Sequence, residues 1–196
     1  MDAFKLDGRI ALVTGSSAGI GEALARGLAQ AGAEVVINGR RREPVDKVVQ
    51  SLLDAGLKAH AAPFDVTDPN AAAAAVEDIE THVGPIDILV NNAGIQRRES
   101  LEAFDEATWR ELMSTNLDSV FYVSKPVANR MIPRKRGSII NICSVQSELG
   151  RPSIAPYAAS KGGLKMLTKG MAIDWGQYGI RVNGLGPGYF ATELNA

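Results

Sequence analysis

Short, near-continuous apolar runs alternate along this chain with longer segments whose apolar residues recur every three or four positions. The short runs are RIALVTG (9–15), EVVING (34–39), KAHAAPFDV (58–66), PIDILVNNAG (85–94), GSIINICS (137–144) and GIRVNGLGPG (179–188). Rich in β-branched residues and bounded by Gly, Asn or Asp, they predict six strands. The segments between them predict helices: 19–33 stopping at Gly32, a charged helix stopping at Gly56, 68–84, 106–132 and 155–176. Asp68 is placed to cap the third, with Pro69 at its first position and Gly84 at its end. Pro126 should kink the fourth or sit where a lost hydrogen bond is tolerated, and Gly162 and Gly163 weaken the fifth. Strands without polar alternation, separated by helices, imply an α/β fold with a parallel sheet covered on both faces.

Composition narrows the class. A chain of 196 residues is long enough for one well-buried domain, expected to span 1–196. The formal net charge of −1 supplies no basic surplus for nucleic acid or an anionic membrane, so neither is an expected partner. No apolar run is long enough to span a bilayer, and Met1–Arg9 has no apolar leader core. The one cysteine, Cys143, rules out an internal disulfide and fits a reducing cytoplasm. His60 and His82 lie far apart without clustered ligands, so no metal is expected.

Candidate chemistry sits at the strand ends. After the first strand, Thr14-Gly15-Ser16-Ser17-Ala18-Gly19-Ile20-Gly21 could carry a pyrophosphate on the following helix terminus, or be an ordinary tight turn. Its spacing departs from the usual dinucleotide fingerprint. The second strand ends Asn38-Gly39-Arg40, where an acidic residue would hold an NAD ribose and an arginine a 2′-phosphate. Arg40 therefore favours NADP(H) over NAD(H), unless it is one more surface arginine. Asp65, at the third strand's end, suits an adenine amino group and a loop cap equally.

Downstream of the fifth strand's Ser144, Tyr157 and Lys161 stand four residues apart and so share a helix face. A free tyrosine ionises near pH 10; bringing it to about 7 requires roughly 4 kcal/mol. Burial acts in the wrong direction, so positive charge must do it: Lys161, and an oxidised nicotinamide besides. Ser144 can donate to an oxygen where charge develops. Taken alone, a tyrosine packed beside a solvated lysine fits the same spacing.

Taken together, the glycine turn at 14–21, Asn91-Asn92-Ala93-Gly94, Asn116, Ser144 with Tyr157-x-x-x-Lys161, and Pro187-Gly188 resemble the short-chain dehydrogenase/reductases in family order over essentially the whole chain. That resemblance implies a doubly wound parallel (Rossmann) sheet in three α/β/α layers, assembled as a dimer or tetramer through two long helices. It implies catalysis by Ser144, Tyr157 and Lys161, with Asn116 holding a water that relays protons from Lys161. Cofactor contacts would come from Gly15, Ser17, Gly19 and Ile20, and from Arg40, Asp65 and Val66. Further contacts would come from Asn92, Ala93 and Gly94, from Tyr157 and Lys161, and from Pro187, Gly188 and Thr192 at the nicotinamide. Asn91 would help hold its loop beside the cofactor.

NGR, NNAGIQRR, NICSVQSELGR and PGYFATELNA resemble the branch of that family that interconverts D-gluconate and 5-keto-D-gluconate with NADP(H). Arg97, Arg98 and Arg151 are then candidates for a sugar-acid carboxylate, and Gln146 for a hydroxyl. Reduction of 3-oxoacyl thioesters, another sugar or polyol, and dinucleotide binding without turnover remain open. Family members continue past the Pro-Gly turn with a substrate-covering segment and an edge strand. A chain stopping at Ala196 is expected to lack part of the substrate wall and of the oligomer interface.

Overall fold

The computed structural model of the chain describes residues 4–188 and residue 190. Six strands, β1 (Ile10–Val13), β2 (Glu34–Gly39), β3 (Ala59–Pro63), β4 (Ile86–Asn91), β5 (Gly137–Ile142) and β6 (Ile180–Leu185), form one sheet in the order β3-β2-β1-β4-β5-β6. Every neighbouring pair is parallel. The order reverses between β1 and β4, which opens a crevice at the carboxyl ends of the strands. The helices are α1 (Gly19–Gln30), α2 (Arg42–Asp54), α3 (Pro69–His82), α4 (Glu106–Met113), α5 (Ser119–Arg134) and α6 (Ala155–Gly176).

The period-2 pleat divides β1 between two cores. Ile10 and Leu12 pack with Val76 and Ile79 of α3, Val123 and Val127 of α5, and Leu164 and Met171 of α6. Ala11 and Val13 face the other way, onto Ala25 and Ala29 of α1 and Val45, Val48 and Leu52 of α2. A four-residue strand buried on both sides has no polar position to show, hence its unbroken apolar run. The result is the expected doubly wound, three-layer α/β/α arrangement.

Three local features depart from the expectation. The 106–132 helix is interrupted by a π-helical turn at Ser114–Asp118 and then runs on through Pro126 and Pro133. The third strand stops at Pro63, so Phe64, Asp65 and Val66 belong to a loop. Asn91 closes β4 with its side chain turned into the core, donating to Ser124 Oγ (2.9 Å) and Asn141 Oδ1 (2.8 Å). Asn141 donates in turn to Thr168 Oγ1 of α6 at 2.9 Å. Asn91 therefore braces β4 against β5, α5 and α6 and does not face the crevice, correcting the loop-holding role expected of it.

Candidate active site

The glycine turn is built by clamps on either side. Asn38, buried in β2, accepts from the Gly15 N–H through Oδ1 (3.1 Å) and donates through Nδ2 to the carbonyls of Ala62 and Phe64 (both 3.1 Å). Asn92 donates to the Thr14 and Gly15 carbonyls, each at 3.0 Å. Thr14 Oγ1 accepts from the backbone N–H groups of Asn92 (3.0 Å) and Ala93 (3.1 Å). Gly15 and Gly19 have φ of 60° and 61°, and a Cβ on Gly21 would lie 2.3 Å from the Gly15 carbonyl oxygen. The clamping role of Asn38 was not foreseen in the sequence; the available signal was a polar residue inside an otherwise apolar strand.

These clamps leave the start of α1 open. Asp68 and Asp105 cap α3 and α4 with their side chains, whereas Ala18 at the start of α1 has no side chain that can. Its first N–H groups end at a cavity of about 1160 Å³ whose wall includes residues 17–22. An uncapped helix start carries partial positive charge and free donors, a fitting cradle for a diphosphate. Arg40, Asp65 and Val66 line the same cavity. Asp65 also caps its own loop, accepting through Oδ1 from Thr67 N–H (2.9 Å) and Thr67 Oγ1 (2.7 Å).

At the other end the cavity is lined by Ser144, Gln146, Arg151, Tyr157 and Lys161. Ser144 starts a 3₁₀ turn, Val145–Ser147, as a reciprocal cap: its Oγ accepts from Gln146 N–H (3.1 Å), and its own N–H donates to Ser147 Oγ (3.2 Å). The Ser144 hydroxyl is hydrogen-bonded to the Tyr157 phenol, in the first turn of α6. One turn on, buried Lys161 donates through Nζ to the Ile142 carbonyl at 2.7 Å and lies 5.9 Å from the Tyr157 ring centre. The three residues predicted from spacing are thus brought together.

Asn116 stands behind them. Its π turn lets a fully buried amide bond both backbone groups of Ile95, accepting from N–H at 2.8 Å and donating to C=O at 2.9 Å. It also donates to Ser160 Oγ at 3.1 Å. A Cβ on Gly94 would lie 3.3 Å from Asn116 Oδ1 and 3.7 Å from Lys161 Nζ, so the loop after β4, the π turn and α6 converge there. The amide braces that loop against α6, with both of its N–H donors committed.

Burial dominates the electrostatics of the pair. Burial pushes the Tyr157 phenol above its ordinary value; the Ser144 hydrogen bond pulls it down and Cys143 adds to the rise. Lys161 is itself pushed down to about 8 by burial. In the chain alone, therefore, desolvation outweighs the Ser144 hydrogen bond and the phenol keeps its proton, the form needed to donate to a carbonyl oxygen. A fall towards 7 needs a further positive charge.

The remaining candidates are spread out. Ala93, Gly94, Pro187 and Gly188 line the cavity. Arg97 and Arg98 do not: both are exposed, and Arg97 pairs with Glu111 at 3.4 Å. Thr192 lies outside the described residues. Glu111, Ser114 and Thr115 also line the cavity and carried no sequence signal. Among the described residues there is no group of three or more His, Cys, Asp or Glu that could hold a metal, and no helix is long and apolar enough to cross a membrane.

Comparison with known proteins agrees with this arrangement. The chain is 60% identical over 193 residues to a gluconate 5-dehydrogenase of Gluconobacter oxydans, covering 98% of this chain and 75% of that protein. It is 51% identical to a 5-keto-D-gluconate 5-reductase of Escherichia coli, covering 98% and 76%. The crystal structure of a gluconate 5-dehydrogenase from Burkholderia cenocepacia in complex with NADP and tartrate superposes with a TM-score of 0.97 at 59% identity, covering 99% of this chain and 76% of the other. The chain thus spans about three quarters of the relatives' length. Residues 9–196 match the profile of the short chain dehydrogenases, and the chain belongs to that family, an oxidoreductase acting on CH–OH groups.

Proposed function

We propose that this chain interconverts D-gluconate and 5-keto-D-gluconate with NADP(H), residues 1–196 acting as one dinucleotide-binding and catalytic unit. The observation that carries it is a single cavity with an uncapped α1 and Arg40 at one end and the Ser144–Tyr157 hydrogen bond beside buried Lys161 at the other. The relatives' names supply the sugar acid, and the NADP in the Burkholderia complex supports the phosphorylated cofactor.

NADP(H), when bound, supplies or accepts the hydride. The chain's own groups manage the proton. In reduction, Tyr157 gives its proton to the substrate oxygen while Ser144 donates a hydrogen bond to the same atom as charge builds there. Lys161 faces the phenol from within the protein and steadies its charged form, which favours the reverse transfer in oxidation. The α1 terminus and the clamped turn of Gly15, Ser17, Gly19 and Ile20 hold the diphosphate, with Arg40 on the 2′-phosphate. Asp65 and Val66 flank the adenine, and Asn92, Ala93, Gly94, Pro187 and Gly188 line the path to the nicotinamide. Arg151 and Gln146 hold the sugar acid, since an arginine fork matches a carboxylate.

Phe121 on α5 and Met166 and Ile173 on α6 are exposed apolar residues, Ile173 at 79%, on the two long helices expected to assemble subunits. They support a homo-oligomer, a dimer or tetramer; sedentation of a monomer alone at micromolar concentration would exclude it. The buried free thiol of Cys143 suits a reducing cytoplasm, which cell fractionation tests. The function itself is tested by following NADPH oxidation with 5-keto-D-gluconate and NADP⁺ reduction with D-gluconate. Turnover in both directions supports it, and activity confined to 3-oxoacyl thioesters or neutral polyols contradicts it.

A further inference from the structure

The turn after β1 is stitched to the end of β2. Ser16, fully buried, donates its N–H to the Asn38 carbonyl at 2.8 Å. Its Oγ accepts from the Asn38 N–H at 3.0 Å and donates to the Val13 carbonyl at 2.6 Å. With the Gly15 N–H on Asn38 Oδ1, these bonds fix the turn against the strand. Ser17, the next residue, is thereby held over Gly39. A Cβ on Gly39 would lie 2.7 Å from Ser17 Oγ and 3.1 Å from Ser17 Cβ, with Val45 Cγ2 of α2 at 3.2 Å. Rotating the hydroxyl away would remove the first contact and leave the other two. Gly39 is not among the glycines with positive φ, so a side chain there is barred by these contacts and not by the backbone. Ser17, Gly39 and Arg40 all line the cavity.

The end of the second strand is where a site of this topology meets the adenosine ribose, through an acidic side chain when the 2′-hydroxyl is free. We propose that Ser17 is a specificity-determining residue for the cofactor: packed on the bare Gly39, it fills the space that a ribose-binding acid at position 39 would need. Selectivity then has two separate parts. The charge of Arg40 attracts the 2′-phosphate, and the Ser17–Gly39 contact shuts out the group that would recognise NAD(H). The parts behave differently on substitution. A change at Arg40 acts by itself, whereas an acid at position 39 gains nothing until Ser17 yields. This rests on the NADP(H) reading of the same site.

The test is a double-mutant cycle on the full chain, using wild type, Gly39→Asp, Ser17→Gly and the double variant. Dissociation constants for NADH and NADPH are read from nucleotide fluorescence, so no sugar substrate enters. With Ser17 in place, Gly39→Asp should leave NADH affinity unchanged or lower. In the Ser17→Gly background the same change should raise NADH affinity about fivefold or more, since a charge-assisted bond to the ribose is then allowed. A gain in NADH affinity from Gly39→Asp with Ser17 in place, or a smaller gain once Ser17 is removed, overturns the proposal. A second cycle uses Gly39→Ala and reads folding instead of binding. Gly39→Ala should lower the urea midpoint by about 0.5 M or more in wild type, and by less than half as much in the Ser17→Gly background. No loss in wild type, or a loss of half or more in the Ser17→Gly background, overturns the proposal whether or not the aspartate variants fold. A wild type that binds NADH more tightly than NADPH would strike the cofactor reading instead, and the urea cycle would still decide the contact.

Discussion

Lys161 Nζ donates to the carbonyl oxygen of Ile142 at 2.7 Å, so the helix carrying Tyr157 is tied to the strand end from which Ser144 follows two residues later. One bond thereby fixes both halves of the proton-transfer site. It also forces an ammonium into the interior, where burial pushes its pKa down to about 8.

That displacement predicts the pH dependence of stability. The unfolded lysine keeps its proton up to its ordinary value of 10.5, while the folded one releases it near 8. Between these values the unfolded chain binds more protons, so the lysine's cost is fully present below about pH 8 and fades as pH rises towards 10.5. The cost is about 3 kcal/mol. Urea unfolding of wild type and Lys161→Met at pH 7 and pH 9.5 should show wild type gaining on the variant at the higher pH. Parallel changes in the two proteins would contradict the burial account.

Arg40 lines the cavity at the end of β2, beside the turn that holds the diphosphate. Arg40→Asp should shift the ratio of kcat/KM for NADP⁺ over NAD⁺ towards NAD⁺ by about tenfold or more, since a phosphate contact is replaced by like-charge repulsion. An unchanged ratio would remove Arg40 from cofactor selection.

Gly21 is a packing requirement. A Cβ there would meet the Gly15 carbonyl oxygen at 2.3 Å and Asn92 Nδ2 at 2.4 Å. Gly21→Ala should displace both clamps, costing about 1–3 kcal/mol in stability and weakening NADPH binding more than tenfold. Calorimetric titration with NADPH checks it, and wild-type affinity would show that the turn tolerates the methyl.

Thr168 is the acceptor for buried Asn141, which in turn accepts from Asn91. Thr168→Val keeps the shape and leaves the Asn141 amide with an unsatisfied donor, so about 1–3 kcal/mol should be lost. A urea midpoint unchanged from wild type would mean that the network contributes nothing.

Most of this architecture was legible in the residues. β1, β2 and β4 read as near-continuous apolar runs because both of their faces are buried. β3 and β6, at the ends of the sheet, keep partly exposed and polar positions and were legible from their bounding turns and, in β6, from its β-branched residues. Ser144, Tyr157 and Lys161 were legible because strand end and helix period alone bring them together. What escaped depends on contacts between distant segments. The π turn around Asn116 is a one-residue slip in hydrogen bonding, which leaves no mark on apolar periodicity. The inward turn of Asn91 depends on Asn141, fifty positions away, and the capture of Arg97 on Glu111, fourteen positions away. The balance at Tyr157 is also beyond spacing, which shows which charge is near but not how deeply the phenol is buried.

The most direct measurement is turnover by Tyr157→Phe, with NADPH and 5-keto-D-gluconate as substrates. Phenylalanine keeps the ring in place beside Lys161 and removes only the exchangeable proton. The account predicts that kcat falls by about 10²- to 10⁴-fold while the NADPH dissociation constant stays within about threefold of wild type. Turnover within tenfold of wild type would contradict it, since another group would then be delivering the proton.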